Sequence, residues 1–238
     1  MGLSLADMGA NVLNTADGRA KTALSLQYAQ AWQEARAAGN MLEIGSAPAP
    51  DHPARPEAPR LCAPKDVAKR KPGSPEGRIA LLHAVAHIEL NAVDLHWDII
   101  VRFSKTRLPT GFFDDWVRAA AEESKHFNLI CDCLENLGSF YGALSAHAGM
   151  WRAAQDTKTD LLGRLAVVPM VLEARGLDVT PNMIKIFKQA KETQAVEALE
   201  LIYSEEVTHV AYGSKWFNFL CGRDDKAVSY THLTLPTT

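Results

Sequence analysis

Two stretches of this 238-residue sequence carry the same pattern, in which two glutamates are followed by two other residues and a histidine. The two copies are Glu122-Glu123-Ser124-Lys125-His126 and Glu205-Glu206-Val207-Thr208-His209. On a helix, a glutamate and a histidine three residues apart lie on one face, within reach of a common metal ion. Two such faces can share ions only if their helices pack side by side, so the repeat favours a helical bundle.

Two isolated glutamates extend this pattern. Glu89 has Val85 and Val93 one helical turn away, and Glu173 ends the apolar run 169–173. An ionised carboxylate that faces a core is costly unless it is paired or bound to a metal, and four converging carboxylates repel one another. Divalent cations would relieve that repulsion, whereas helix-surface charges or core ion pairs are the alternative interpretation. The predicted metal ligands are Glu89, Glu123, His126, Glu173, Glu206 and His209.

Each glutamate doublet requires a choice of ligand. Glu122 shares its helical face with Arg118 and Lys125, which indicates a solvated face, so Glu123 is the preferred ligand. The same register favours Glu206 over Glu205. A carboxylate-rich set with only two imidazoles suits two iron ions or two manganese ions better than thiol-preferring metals. The sequence does not choose between iron and manganese.

Hydrophobic periodicity predicts an all-α chain without strands. The predicted elements are a helix over 3–38 broken at Asp17-Gly18, helices over 79–105 and 110–137, a partly helical connection over 138–156, a helix over 157–175, and helices from 180 and from 193 to Cys221. Pro169 is expected to kink its helix, Gly176 to end it, and Thr180-Pro181 to begin the next. Short connections within helix pairs and a longer one between them predict a ferritin-like four-helix bundle.

Prolines divide the chain further. Eight of them within residues 45–77 exclude regular helix or central strand, so this segment is expected to be an extended arm. The predicted division is an N-terminal helical segment at 1–44 packed on the bundle, the proline-rich arm at 45–77, the bundle with its metal site at 78–222, and a non-native-looking tail at 223–238. The tail has no helical period and is typical of a translated vector junction.

Other residues near these motifs have two interpretations each. His87 would orient a ligand carboxylate from outside the ligand set, or is a core or surface histidine. The same choice applies to His96, which lies two turns from Glu89, and the core interpretation is favoured for both. Tyr203 would be redox-active or hydrogen-bonded to a ligand, or is a simple core aromatic. The basic residues at 65–71 would contact an anionic partner, or keep the arm solvated, which is favoured.

Composition excludes several classes of protein. The formal net charge of −3 does not predict a general nucleic-acid binder, and no apolar run approaches the roughly 18 residues of a membrane helix. The N-terminus lacks a basic start followed by an apolar block, so we expect a cytoplasmic protein. Four cysteines without a Cys-x-x-Cys pair predict free thiols. Oligomerisation stays open.

Longer runs of sequence resemble a known family. HAVAHIELNAVDL, EESKHF, LAVVPMVLEARGLDVTP and IYSEEVTHVAYGSKWF are similar to an uncharacterised bacterial family of ferritin-like proteins, sometimes fused to rhodanese domains. More distantly, the chain resembles the ferritin-like tRNA hydroxylase that acts on a methylthio-isopentenyl adenosine. The family pattern implies metal ligands at the same six positions. It implies no substrate.

These patterns lead to two expected functions. The first is an O₂-dependent oxidoreductase of the hydroxylase or oxidase kind, acting on a small organic or modified-nucleoside substrate. The second is iron oxidation, storage or peroxide detoxification without an organic substrate. A structural or RNA-associated bundle without metal chemistry is a third alternative, and the complete ligand set argues against it.

Overall fold

A computed structural model describes residues 2–40, 42–63, 66, 70–147 and 149–222. Its helices are α1 (Leu5–Leu13), α2 (Gly18–Ala37), α3 (Pro75–Arg102), α4 (Thr110–Asn136), α5 (Gly149–Asp156), α6 (Leu161–Val167), a π-helical segment (Val168–Glu173), α7 (Ala174–Ala190) and α8 (Thr193–Cys221). The prediction of a mostly helical chain is confirmed. The predicted tail at 223–238 and Lys65 and Lys69 of the basic cluster lie outside the described residues.

Side-chain caps explain where the early helices begin. Ser4 and Asp7 form a reciprocal capping box at the start of α1. Asp17 accepts a hydrogen bond from the Ala20 amide and so begins α2, which confirms the predicted break at Asp17-Gly18. Ser74 caps α3 in the same way, and Pro75 occupies its first turn, so α3 begins four residues before the predicted Ile79.

The predicted boundaries around Gly176 and Thr180 are wrong. The chain passes from α6 through the π-helical segment into α7 and continues helically through Gly176 and Pro181 to Ala190. Thr180 does not cap a new helix: it is buried, and its hydroxyl donates to the Gly176 carbonyl at 2.8 Å. Pro169 lies in the π-helical segment, where its missing N–H interrupts the regular ladder. The proline thus changes the helix type and does not end the helix.

The arm follows the surface of α1, α3 and α5. The Leu13 carbonyl accepts from the Ala54 amide, the Pro50 carbonyl from Arg102, and the Asp51 carbonyl from the Trp151 indole. Within the arm, residues Leu61–Cys62 form strand β1, which pairs in parallel with β2 (Ala146–His147). The prediction of no strands is therefore wrong for these two dipeptides. Each is too short to show a period-two pattern in the sequence.

Two apolar clusters hold the long helices together. One joins α1 and α2 to the C-terminal part of α3 and the N-terminal part of α4, around Trp32, Trp97 and Trp116. The other joins the opposite parts of α3 and α4 to α7 and α8, around Phe127 and Phe187. None of the described helices is long and apolar enough to cross a membrane, and the four cysteines are free, as predicted.

Candidate metal centre

The structure brings all six predicted ligands into one buried cluster. Glu89 comes from α3, Glu123 and His126 from α4, Glu173 from the end of the π-helical segment, and Glu206 and His209 from α8. None of the six side chains belongs to a residue more than 9% exposed. Together with His96, their ligand atoms form three overlapping groups within 4.8 Å, and Glu123, Glu206 and His209 each belong to two groups. These groups are residues that could hold a metal ion.

The two histidines present the same nitrogen to the centre. His126 Nδ1 lies 3.3 Å from Glu89 Oε2 and 3.4 Å from Glu123 Oε2. His209 Nδ1 lies 3.0 Å from Glu123 Oε1 and 3.5 Å from Glu206 Oε2. Because the Glu-x-x-His spacing places both side chains on one helix face, each α-helix delivers a carboxylate and an imidazole nitrogen to the same point.

The remaining glutamate of each doublet binds the histidine of the other helix. His126 Nε2 lies 2.6 Å from Glu205 Oε2, and His209 Nε2 lies 2.8 Å from Glu122 Oε2. These pairs fix the ring orientation and favour the tautomer whose Nδ1 lone pair faces inward. Glu122 was predicted on a solvated face and is indeed partly exposed, but the contact with His209 was missed. The repetition of the doublet itself was the signal.

His96 is buried, in agreement with the favoured interpretation of a core histidine, and it also reaches the cluster. Its Nε2 atom lies 3.4 Å from Glu173 Oε1 and 3.6 Å from Glu123 Oε1. Its ring stacks on Trp116, with centroids 5.3 Å apart. The spacing of seven residues from Glu89, which returns to the same helix face, was the available signal.

His87 and Tyr203 do not occupy the places predicted for ligand-orienting groups. Both ring nitrogens of His87 are engaged elsewhere, with the Tyr141 hydroxyl at 2.8 Å and the His147 carbonyl at 3.0 Å. On α3, His87 points away from Glu89, because two residues correspond to about 200° of helix rotation. Tyr203 is exposed on the outer face of α8. The prediction of a ligand-orienting role is wrong for both residues.

Many polar atoms of the centre lack a hydrogen bond among the described residues. They are both carboxylate oxygens of Glu123 and Glu173, Glu206 Oε2, His209 Nδ1 and His96 Nε2. Buried polar groups are almost always hydrogen-bonded, and an unsatisfied one costs about 1–3 kcal/mol. Seven such atoms lie close together, and the residues that carry them could hold a metal ion.

Burial and mutual repulsion separate the pKa values of the four inner carboxylates. Burial, with the neighbouring Glu123, raises the pKa of Glu89 well above its usual range, and burial beside Glu206 does the same to Glu173. Burial raises the pKa of Glu206 to about 7. Burial would also raise the pKa of Glu123, but its close contacts with Glu89 and the histidines hold it well below its usual range. Glu123 is therefore the most readily ionised carboxylate of the centre.

The surrounding groups compensate that negative charge. Burial alone would lower the pKa values of His126 and His209, but their contacts with Glu123, Glu205 and Glu122 raise both well above the usual value. The hydrogen bond from His126 lowers the pKa of Glu205 to about 2. Burial lowers the pKa of His96. The raised pKa values of the two imidazoles thus favour positive charge beside Glu123.

Comparison with known protein families supports the predicted resemblance to an uncharacterised family. The sequence profile described as "Protein of unknown function (DUF455)" matches residues 14–235. The chain belongs to the DUF455 family. The matched range includes residues 223–235, which were predicted to be a non-native tail.

One curated relative extends this comparison of the DUF455 chain. An "Uncharacterized protein" of Haemophilus influenzae (strain ATCC 51907 / DSM 11121 / KW20 / Rd) is 47% identical over 170 residues. The alignment covers 69% of this chain and 59% of the relative, so the chain spans about three fifths of the relative's length. No solved structure matches the chain.

Proposed function

We propose that this DUF455 protein is a ferritin-like di-metal carboxylate protein that uses iron, or alternatively manganese, in an O₂-dependent oxidation. The supporting observation is the set of seven buried atoms without hydrogen-bond partners, all on carboxylates and imidazoles that converge from four helical elements. Structural ion pairs would satisfy one another. Some of these atoms approach one another to 3.0–3.6 Å, as His209 and His96 do with Glu123, yet none of them forms a hydrogen bond with another described residue.

The donor chemistry fits two hard or borderline cations. Glu89 and His126 would hold one ion, Glu173 and His209 the other, and Glu123 and Glu206 would contact both. All the donors in these groups are carboxylate oxygens and imidazole nitrogens, a set that suits iron and manganese. Burial and, to a smaller extent, repulsion raise the pKa values of Glu89 and Glu173, and two divalent ions would offset that repulsion.

Bound iron would supply the redox chemistry with O₂, and the chain's own residues would set its conditions. Glu205 and Glu122 hold the imidazole rings with Nδ1 facing inward. The complete burial of Glu123, His126 and His209 limits the access of water. Glu205 and Glu122, which are partly exposed, connect the buried imidazoles to solvent and are placed to exchange protons with it.

Metal handling without an organic substrate is the second candidate. A surface groove of about 580 Å³ reaches Glu122, and Arg118, Lys125, Asn128 and Asp132 also line it. Leu26, Ala121 and Leu129 line the groove as well, and the carboxylates of Glu122 and Asp132 give metal ions a hydrophilic approach to the centre. This groove favours iron oxidation or storage, while the resemblance to a tRNA hydroxylase favours an organic or modified-nucleoside substrate.

Metal analysis followed by O₂ exposure tests both candidates. Metal-free protein would be loaded anaerobically with Fe²⁺, its iron content measured, and O₂ consumption followed with optical monitoring. We expect about two ions per chain in the wild type and loss of this uptake in Glu123→Ala and Glu206→Ala. The matched control is Glu200→Ala, an exposed glutamate on α8 paired with Lys188. Iron uptake in either site variant equal to that of wild type would exclude the assigned site.

The products separate the two candidates. Consumption of O₂ coupled to oxidation of an added organic compound would support the oxidoreductase. Consumption of O₂ with stoichiometric formation of ferric iron, and no effect of any organic compound, would favour metal handling.

A further inference from the structure

Three buried histidines lie along α3, and they differ in how their nitrogens are satisfied. His83 Nε2 accepts from the Gly142 amide at 3.0 Å, and His87 uses both ring nitrogens. Each of these two is a satisfied core histidine. His96 is 1% exposed, yet its Nε2 atom has no hydrogen-bond partner among the described residues. A buried imidazole nitrogen in this state requires an explanation.

The surroundings of His96 Nε2 are ligand atoms of the candidate centre. It lies 3.4 Å from Glu173 Oε1 and 3.6 Å from Glu123 Oε1, and it forms a group with Glu123 and His209 whose atoms lie within 4.8 Å. Trp116 stacks on one face of the ring, while His209 meets it nearly edge-on at 5.7 Å and 73°. The ring is therefore held with Nε2 directed at the cluster.

Helix α3 reaches both ends of the cluster. Glu89 and His96 are seven residues apart, which is about 10.5 Å along a helix axis and a return to the same face. Glu89 contacts His126, whereas His96 contacts Glu173. Helix α3 thus provides one candidate metal-ligating side chain on each side of Glu123 and Glu206.

We propose that His96 is a third imidazole ligand of the centre, which makes the two metal positions unequal. This inference rests on the proposed di-metal function. One position has His96, His209 and Glu173, the other has His126 and Glu89, and both share Glu123 and Glu206. Imidazole favours iron and later metals, whereas carboxylate oxygens suit manganese. The position with two imidazoles therefore selects iron more strongly than its neighbour.

Anaerobic titration of metal-free protein with Co²⁺, followed by visible absorption, measures the two positions separately. The variants are His96→Gln, which keeps the side-chain length, and His83→Gln as a matched buried-histidine control on α3. We expect wild type and His83→Gln to bind two equivalents, and His96→Gln to bind one equivalent tightly with the second weakened at least tenfold. A His96→Gln titration that superimposes on wild type would overturn the role of His96 while leaving the di-metal proposal intact. Absence of Co²⁺ uptake by wild type would overturn the di-metal proposal itself.

A second measurement needs no variant and does not depend on whether His96→Gln folds. In Co²⁺-loaded wild type, paramagnetic proton NMR resolves the strongly shifted, solvent-exchangeable ring N–H of each coordinated histidine. We expect three such signals in place of two. Two signals, with full Co²⁺ occupancy, would show that His96 only contacts Glu123 and Glu173 and is not a ligand.

Discussion

His126 on α4 and Glu205 on α8 lie with Nε2 and Oε2 2.6 Å apart, and His209 and Glu122 repeat this contact in the opposite sense at 2.8 Å. In each Glu-Glu-x-x-His segment, the second glutamate therefore faces the centre, and the first contacts the histidine of the other segment. These contacts couple α4 to α8 through the outer nitrogen of both imidazoles, and the contact of His209 Nδ1 with Glu123 couples the same helices on the inner side. This exchange explains why two adjacent glutamates precede each histidine.

Glu205 and Glu122 contact the outer nitrogens of the two imidazoles. Removal of either carboxylate charge should weaken metal binding without removing a predicted metal ligand. In Glu205→Gln and Glu122→Gln, the amide no longer selects the tautomer with an inward Nδ1 lone pair, so we expect about 10–100-fold weaker metal affinity for each. Titration of Fe²⁺ or Co²⁺ into the metal-free variants measures this loss. Glu200→Gln, in an exposed pair with Lys188, is the control and should bind as wild type does. Unchanged affinity in both site variants would contradict the orienting role.

The contact between Gly213 and Pro169 holds α8 against the π-helical segment. A Cβ atom at Gly213 would lie 2.5 Å from Pro169 Cγ and 2.7 Å from Pro169 Cβ. We expect Gly213→Ala to destabilise the fold by about 1–3 kcal/mol, because a rigid proline ring cannot yield easily. Glu173 ends the same segment, so metal binding should weaken as well.

Replacement of Gly176, in the adjoining helix α7, should have the opposite effect on stability. No atom lies within 4 Å of a Cβ built there, and its φ is not positive. Gly176→Ala should therefore stabilise α7 by about 0.5–1 kcal/mol. Urea unfolding of both metal-free variants against wild type provides the measurement. A Gly213→Ala protein as stable as Gly176→Ala would contradict the close approach of α8.

The buried pair of Lys21 on α2 and Asp94 on α3 should tolerate joint replacement better than single replacement. Their Nζ and Oδ1 atoms are 2.5 Å apart, and Lys21 also donates to the Ala54 carbonyl of the arm. We expect Lys21→Met to cost about 3–5 kcal/mol, because it leaves a buried carboxylate unpaired. The double variant with Asp94→Leu should recover most of that loss. Urea unfolding of both variants tests this, and additive losses would contradict a coupled pair.

The sequence was sufficient to predict which glutamates and histidines with a helical period are buried together. Glu89, Glu173 and the two Glu-x-x-His pairs recur in apolar surroundings on single helices, so local spacing alone indicated that they face inward. The contacts of Glu122 and Glu205 depend on the relative register of α4 and α8. That register is a tertiary property, and no single-helix pattern encodes it.

The boundaries near Gly176 and Pro181 failed for a related reason. Glycine and proline lower helix propensity locally, but here α7 packs along α8 and buries Phe187 and Thr180. Tertiary packing outweighed local propensity. The π-helical segment could not be predicted either, because Pro169 indicates an irregularity in the helix without specifying its type.

Acid should destabilise the protein through His83 on α3. Burial, with a smaller effect of Arg70, lowers the pKa of His83 to about 4, and its Nε2 accepts from the amides of Gly142 and Leu144 at 3.0 and 3.4 Å. The unfolded chain binds a proton near pH 6.5, whereas the folded chain resists it until about pH 4, so stability falls as the pH decreases between these values. With a discount for partial solvation of the ring, we expect a loss of about 2 kcal/mol across this window. His83→Gln keeps an acceptor that does not titrate. Urea unfolding at a series of pH values should therefore show a smaller decline for the variant than for wild type, and parallel curves would contradict the assignment.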